Sequence, residues 1–443
     1  MIEKILNKNN LLKKIMKIQK IVLIFIFINK YIYSIITIPF KRIYKDKITQ
    51  KNIMKVLLYN DLQITIEIGS PPQSFPILIK LQQSPTFIMS TNYTGNIKKF
   101  NPNSSSTFIS TKKQIEKYQQ LHCLDGYYVK DSIIIGNEKL KIDNLEFILA
   151  NKISTESSIL SGEIGLILYA QGIIQNTKFL YQLKSKKIIE KEVFSLEYTK
   201  ENEGNLIIGD YLHNYNNKKF KEENLLFASV GLPKEITQWS FVIDKVYSDG
   251  ILIENYTNVK LNYEFGFIDG SKDYYEKVYK KFFGDYLNKN ICREVQLNDS
   301  LSRYFIECDD MIEYKNFPEL IFRNDFLKYN FTFTYKDLFM KYENKYYFLI
   351  LFKWYIDKWN FGYPFFKKYQ IFFDSDKKIF GLYPNKSNSN NWNFSPWILV
   401  FVFALLFIIT LIILLIFIKY FKQKRKIRAN ELEDNFEYLP QYD

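Results

Sequence analysis

Histidine and cysteine are the scarcest chemistry-bearing residues of this 443-residue chain, with two histidines (His122 and His213) and three cysteines. Two histidines without Cys/His spacing exclude a zinc centre built on the usual ligand sets. Three cysteines allow at most one internal disulfide, so no disulfide framework stands in for a core. Neither a Gly-rich phosphate loop nor a G-x-S-x-G elbow occurs, which removes P-loop phosphate binding and the serine-hydrolase elbow. No motif implies a cofactor or a metal.

What the chain has in quantity is apolar and aromatic surface. Hydrophobic residues make up 47% of it, with 34 Tyr and 39 Phe, a composition that suits strands better than a helical bundle. The length allows two or three domains with a large core. The formal charge is +14, but much of it lies in the first fifty residues and after Ile418. Both places adjoin membrane-type stretches, so no nucleic-acid partner is expected.

The ends of the chain carry topology. Residues 1–20 are Lys-rich and residues 21–28 (IVLIFIFI) form a short apolar core, long enough for a signal h-region and too short to span a bilayer. Cleavage near Tyr33 or Ser34 competes with an uncleaved anchor extending to Ile38. Residues 397–418 are an uncharged run of bilayer-spanning length that opens on Trp397 and is followed by KYFKQKRKIR. The positive-inside rule places the C-terminus in the cytosol and the body in a lumen or outside. Sequons at Asn92, Asn103, Asn255, Asn298, Asn330 and Asn385 accord with a glycosylated lumenal body. A further sequon at Asn393 is weakened by Pro396. In an oxidising compartment Cys292 and Cys308 would staple a local loop, which leaves Cys123 over. The acidic-aromatic tail reads as solvated.

The organising stretch is residues 64–90. Ile64, Ile66 and Ile68 alternate with Thr65 and Glu67, Gly69-Ser70-Pro71-Pro72 breaks the strand, and a second apolar run, 75–79, follows at hairpin distance. This frame resembles the opening hairpin of the pepsin-like aspartic peptidases, I-x-I-G-T-P-x-Q-x-F. Five further segments match the family in order: residues 161–167 (SGEIGLI), 193–198 with 204–210, 238–246 from Trp239, 317–322 (FPELIF), and 359–369 with 372–381. Phe361-Gly362 echoes Ile164-Gly165, as two lobes on one plan require.

The resemblance implies an all-β, mainly antiparallel, bilobal pepsin-like acid protease fold, to which the uncharged run 397–418 adds an expected C-terminal transmembrane helix. The expected division is 1–34 signal peptide or anchor, 35–58 a short prosegment-like linker, 59–190 and 191–384 the two lobes, 385–396 a stalk, 397–418 the span and 419–443 the cytoplasmic tail.

The family's chemistry needs one aspartate per lobe, about 3 Å apart and sharing a proton, so that one acts as base and the other as acid toward water. Here the frame puts Lys80 at the first aspartate and Gln82 at the loop glycine, while Ser84 and Phe87 keep family-like positions. No acidic residue lies between Ser70 and Ser90. In the second lobe the candidate is residues 267–271 (FIDGS). With one residue deleted Asp269 fits the catalytic aspartate; without the deletion Ile268 takes that place and Gly270 the loop glycine. Asp269 is favoured as the remnant, with an ordinary Asp-Gly turn as the other reading. If Lys80 and Asp269 face each other, they form an ion pair that holds the lobes together. The flap region 118–126 lacks the glycines that let such a hairpin close, and Tyr118 is one residue out of frame.

Two functions remain open from the sequence. The first is a membrane-anchored, degenerate homologue that holds an extended peptide in the interlobe cleft without turnover. The second is an active aspartic-type endopeptidase working in an acidic lumen or at the cell surface.

Overall fold

The alternating runs become strands. The computed structural model describes residues 35–43, 53–81, 86–115, 123–153, 160–168, 177–230, 239–297, 303–352 and 359–384. The organising hairpin is Leu62–Ile68 and Gln73–Lys80. Leu62, Ile64, Ile66 and Ile68 are buried while Thr65 is exposed, so the period of two delivers one face to the core. Gly69 turns the chain at φ +88°. A Cβ there would also stand 2.8 Å from Ser105 Oγ, so both backbone and packing call for glycine.

Two sheets carry the described residues. The larger is 13-stranded and runs from Leu226–Ser229 at one edge to Ile109–Gln114 at the other. The smaller is 10-stranded and is built from Ser240–Ser248 through Asn360–Phe361. A four-strand plan occurs once in each. In the first, Gln73–Lys80 pairs in parallel with Gly162–Gly165, with Ile79 opposite Ile164 and Lys80 opposite Gly165. Gly162–Gly165 then pairs antiparallel with Phe87–Met89, Phe87 opposite Glu163, and Phe87–Met89 pairs in parallel with Leu140–Ile153. In the second, Ile251–Leu261 pairs in parallel with Asn360–Phe361, Leu261 opposite Phe361. Asn360–Phe361 pairs antiparallel with Ile268–Gly270, Asp269 opposite Asn360, and Ile268–Gly270 pairs in parallel with Lys345–Phe352. Gly362 follows this thread where a Cβ would lie 1.9 Å from Phe267 O and 2.5 Å from Phe265 O; only glycine lets the backbones approach this closely.

Two expected boundaries change. Residues 35–58 are more than a linker: Ile36–Arg42 is a strand paired antiparallel with Glu203–Ile208 and, at Lys41 and Arg42, with the start of Leu62–Ile68. Its Ile36, Ile38 and Phe40 are buried, and that apolar face explains why the segment joins a sheet rather than lying over one. Likewise Val193–Tyr198, Glu203–Ile208, Gln370–Asp374 and Ile379–Tyr383 belong to the first sheet. A division at 190/191 therefore falls just before a central sheet to which both ends of the second half contribute. Phe194 stacks on Phe373 at 4.8 Å and Trp239 packs edge-on to Phe373 at 4.7 Å, joining this central sheet to the second-lobe core.

No helix among the described residues is long and apolar enough to cross a membrane. The signal or anchor stretch 1–34, the stalk, the run 397–418 and the tail all lie outside the described residues.

Candidate functional site: a buried lysine between the two loops

Lys80 ends its strand and is 8% exposed. Its Nζ lies 3.0 Å from Asp61 Oδ1 and 3.3 Å from Glu264 Oε2. The other Glu264 oxygen, Oε1, accepts the Leu81 N–H at 2.8 Å. One second-lobe carboxylate thus grips both the side chain and the backbone of the first-lobe loop. Burial works against the Lys80 charge, but Glu264, Asp61 and the buried Glu163 outweigh it and hold the ammonium pKa well above its ordinary value. The ammonium is therefore the favoured form of Lys80 at neutral and acidic pH.

The loop that supplies Glu264 is fixed from both sides. Asn262 Oδ1 accepts the Glu264 N–H at 3.1 Å, and the Asn262 N–H donates to Phe361 O at 2.9 Å. On the outer side, Tyr59 bridges to Phe265, and the Gly266 N–H donates to Leu58 O at 3.0 Å. Asn60, fully buried, donates its N–H to Glu264 O at 2.7 Å and its Nδ2 to Tyr263 O and Tyr198 Oη at 2.8 and 2.9 Å. Asp61 is therefore delivered to Lys80 by a backbone already pinned to the second lobe. A Cβ on Gly266 would sit 1.6 Å from Leu57 O, so this docking also depends on a glycine.

The repeated strand plan identifies which residues correspond. Phe87 stands opposite Glu163 and Asp269 opposite Asn360, so Asp269 is the counterpart of Phe87. Seven residues back from each lie Lys80 and Asn262, the paired loop positions. The expected ion pair between Lys80 and Asp269 does not form: the carboxylates that meet Lys80 are Asp61 and Glu264. Asp269 is 4% exposed within Ile268–Gly270, where Asn360 Nδ2 lies 3.4 Å from its Oδ2. Ser271, next in sequence, caps the following helix by accepting the Tyr274 N–H.

Sequence reasoning therefore missed Asn262, Glu264 and Asp61. The available signal was spacing, since the seven residues from Lys80 to Phe87 recur from Asn262 to Asp269. Of the other expected residues, Gln82, Ser84, Tyr118 and His122 lie outside the described residues. His213, in the short helix Leu212–Tyr215, has its Nδ1 2.7 Å from Tyr383 Oη.

The disulfide forms as expected: Cys292 and Cys308 are bonded and stand opposite each other across two antiparallel strands. Cys123 is buried and free, and burial pushes its thiol up to about 12. Asn92, Asn103, Asn255 and Asn330 are exposed, whereas Asn298 and Asn385 lie outside the described residues.

Residues 62–384 match the family model for eukaryotic aspartyl protease. The chain belongs to that family. Cathepsin D of Gallus gallus is a relative, 26% identical over 172 residues that make up 36% of this chain and 42% of that protein. The match thus spans less than half of the relative's length. Within this aspartyl protease family member, the strand plan puts a lysine and an asparagine at the paired loop positions. Neither can ionise to a carboxylate, and the acids at salt-bridge distance from Lys80 are Asp61 and Glu264.

Proposed function

We propose that this aspartyl protease family member is a peptide-binding protein without peptidase activity. The observation that supports this most directly is the centre of the cleft. The Lys80 ammonium, neutralised by Asp61 and Glu264, occupies one of the paired loop positions and Asn262 the other, where water activation calls for two carboxylates sharing one proton. The family binds peptide substrates in a cleft, and extended peptides are held there mainly by strand-like backbone hydrogen bonds. Binding of that kind survives the loss of the acid pair; turnover does not.

The body is further read as the lumenal or extracellular part of a single-pass type I membrane protein, glycosylated at some of its sequons. A cystine and four exposed sequons among the described residues support this reading. Incubating the purified full-length chain with a peptide library at acidic pH, with a pepstatin-type inhibitor as control, tests the activity reading. We expect peptides to be retained without new termini. Inhibitor-sensitive cleavage would establish the alternative, an active endopeptidase. A mobility shift on deglycosylation, with protease access confined to the body in sealed membranes, tests the topology.

A further inference from the structure

A crevice of about 180 Å³ opens between the end of the first strand, the helix Ile53–Leu58 and the second lobe. Its floor is apolar, formed by Leu57, Phe339, Met340 and Leu349. Leu57 and Leu349 belong to a small core cluster of their own, apart from the main core, against which Met340 packs. Its rim is cationic: Arg42, Lys336, Lys367 and Lys368 stand against two carboxylates, Glu201 and Asp337.

The rim is arranged rather than loose. The Arg42 guanidinium is held 4.2 Å over the Tyr363 ring, and Tyr363 Oη is itself tied to Glu201 O at 2.8 Å. Lys368 is fixed by Asp337 at 2.5 Å, within a capping box made with Thr334. Lys367 meets Glu201 at only 3.8 Å with both groups half exposed, an arrangement worth little in water. Lys336 lies over the Tyr335 ring rather than against a carboxylate. Among the described lining residues the four cations outnumber the two carboxylates, and Lys336 and Lys367 are exposed to a ligand.

We infer that this crevice binds a short aliphatic carboxylate, with its chain on Leu57, Met340 and Leu349 and its acid group between Lys336 and Lys367. The volume accommodates roughly six waters or one such chain, and apolar walls with a few convergent polar groups are the usual make-up of a ligand site. A purely inorganic anion would leave the floor unused, and an uncharged chain would leave Lys336 and Lys367 unused. Gly266 lines the same crevice and lies on the loop that carries Asn262 and Glu264. A bound acid therefore sits against that loop, whichever reading of the peptide site holds.

Titrating the full-length protein with hexanoate, hexanol and inorganic phosphate, followed by saturation-transfer NMR, tests the inference. Hexanoate should saturate, hexanol and phosphate should bind about tenfold more weakly or worse, and the Lys336→Gln/Lys367→Gln protein should lose about tenfold in hexanoate affinity. Both lysines are at the surface, so the variant folds and its melting temperature without ligand should match the parent's. Hexanol binding as tightly as hexanoate would reduce the crevice to an apolar hole. Phosphate binding as tightly would reduce it to surface charge. Either outcome overturns the proposal, as does an unchanged affinity in the double variant or a failure of hexanoate to saturate.

Discussion

Substituting Glu264 by Gln keeps the shape of the cross-lobe contact and removes its charge. The Leu81 N–H keeps an acceptor, but Lys80 is left with Asp61 as its only carboxylate within salt-bridge distance among the described residues. Breaking a buried pair by removing one partner costs about 3–5 kcal/mol because the other charge stays buried. Asp61 offsets part of that, and the pair is not wholly dry, with side-chain exposures of 11% for Lys80 and 15% for Glu264. The expected loss is about 2–3 kcal/mol. Replacing both, as Lys80→Met/Glu264→Gln, removes the stranded ammonium but takes the cation from Asp61, so the double variant should cost less than the sum of the two single variants by about 1 kcal/mol, a coupling that a double-mutant cycle isolates. Urea unfolding followed by fluorescence of the fully buried Trp239 and Trp359 measures both. The pH dependence has a definite sign. Lys80's folded pKa is raised, so its contribution is fully present below the ordinary value of 10.5 and fades only as pH climbs beyond it. The stability gap between wild type and Lys80→Met should therefore be flat from neutrality to about pH 10 and change only above that. A Glu264→Gln protein within about 0.5 kcal/mol of wild type, or a double variant less stable than the sum of the singles, refutes the clamp.

Three further outcomes follow from the same structure. Lys80→Asp alone should leave peptide cleavage at acidic pH undetectable, because Asn262 stands at the second position and Glu264 would then face a third acid; robust turnover by that variant would sink the argument. Removing the cystine as Cys292→Ala/Cys308→Ala should cost about 2–3 kcal/mol in urea unfolding, since it frees a closed loop of ordinary length. Cys123, with its thiol pushed up to about 12 by burial, should resist iodoacetamide at pH 8 in the native protein and react once the chain is unfolded. Alkylation of the native form at the unfolded rate would contradict its burial.

The parts legible in the sequence are those with a local cause. The alternation through Ile64, Ile66 and Ile68 fixes which face is buried whatever the strand packs against, and the hairpin formed where it was expected. Cys292 and Cys308 are close enough in sequence to meet across one hairpin, and they do. Lys80 occupies its loop position at the end of the hairpin's second strand, opposite Gly165. The second lobe was harder to read because Asp269-Gly270 imitates a catalytic fragment in composition. Its true place, in a strand opposite Asn360, depends on a pairing with residues far along the chain.

By itself, then, the amino-acid sequence determined that this protein is a member of the aspartyl protease family with a lysine where the first lobe needs an acid. It also determined that no acidic residue lies between Ser70 and Ser90. Only the tertiary structure decided what the lysine does. Leu81 and Glu264 are 183 residues apart, and Asp61 reaches Lys80 on a segment whose backbone is docked to the second lobe. Periodicity reports which face of a strand is buried, but not which distant loop that face will meet. Once both loops are folded against each other, the charge of Lys80 has to be neutralised where it is buried. The second lobe supplies the neutralising carboxylate from Glu264, at the place of a loop glycine, and not from Asp269.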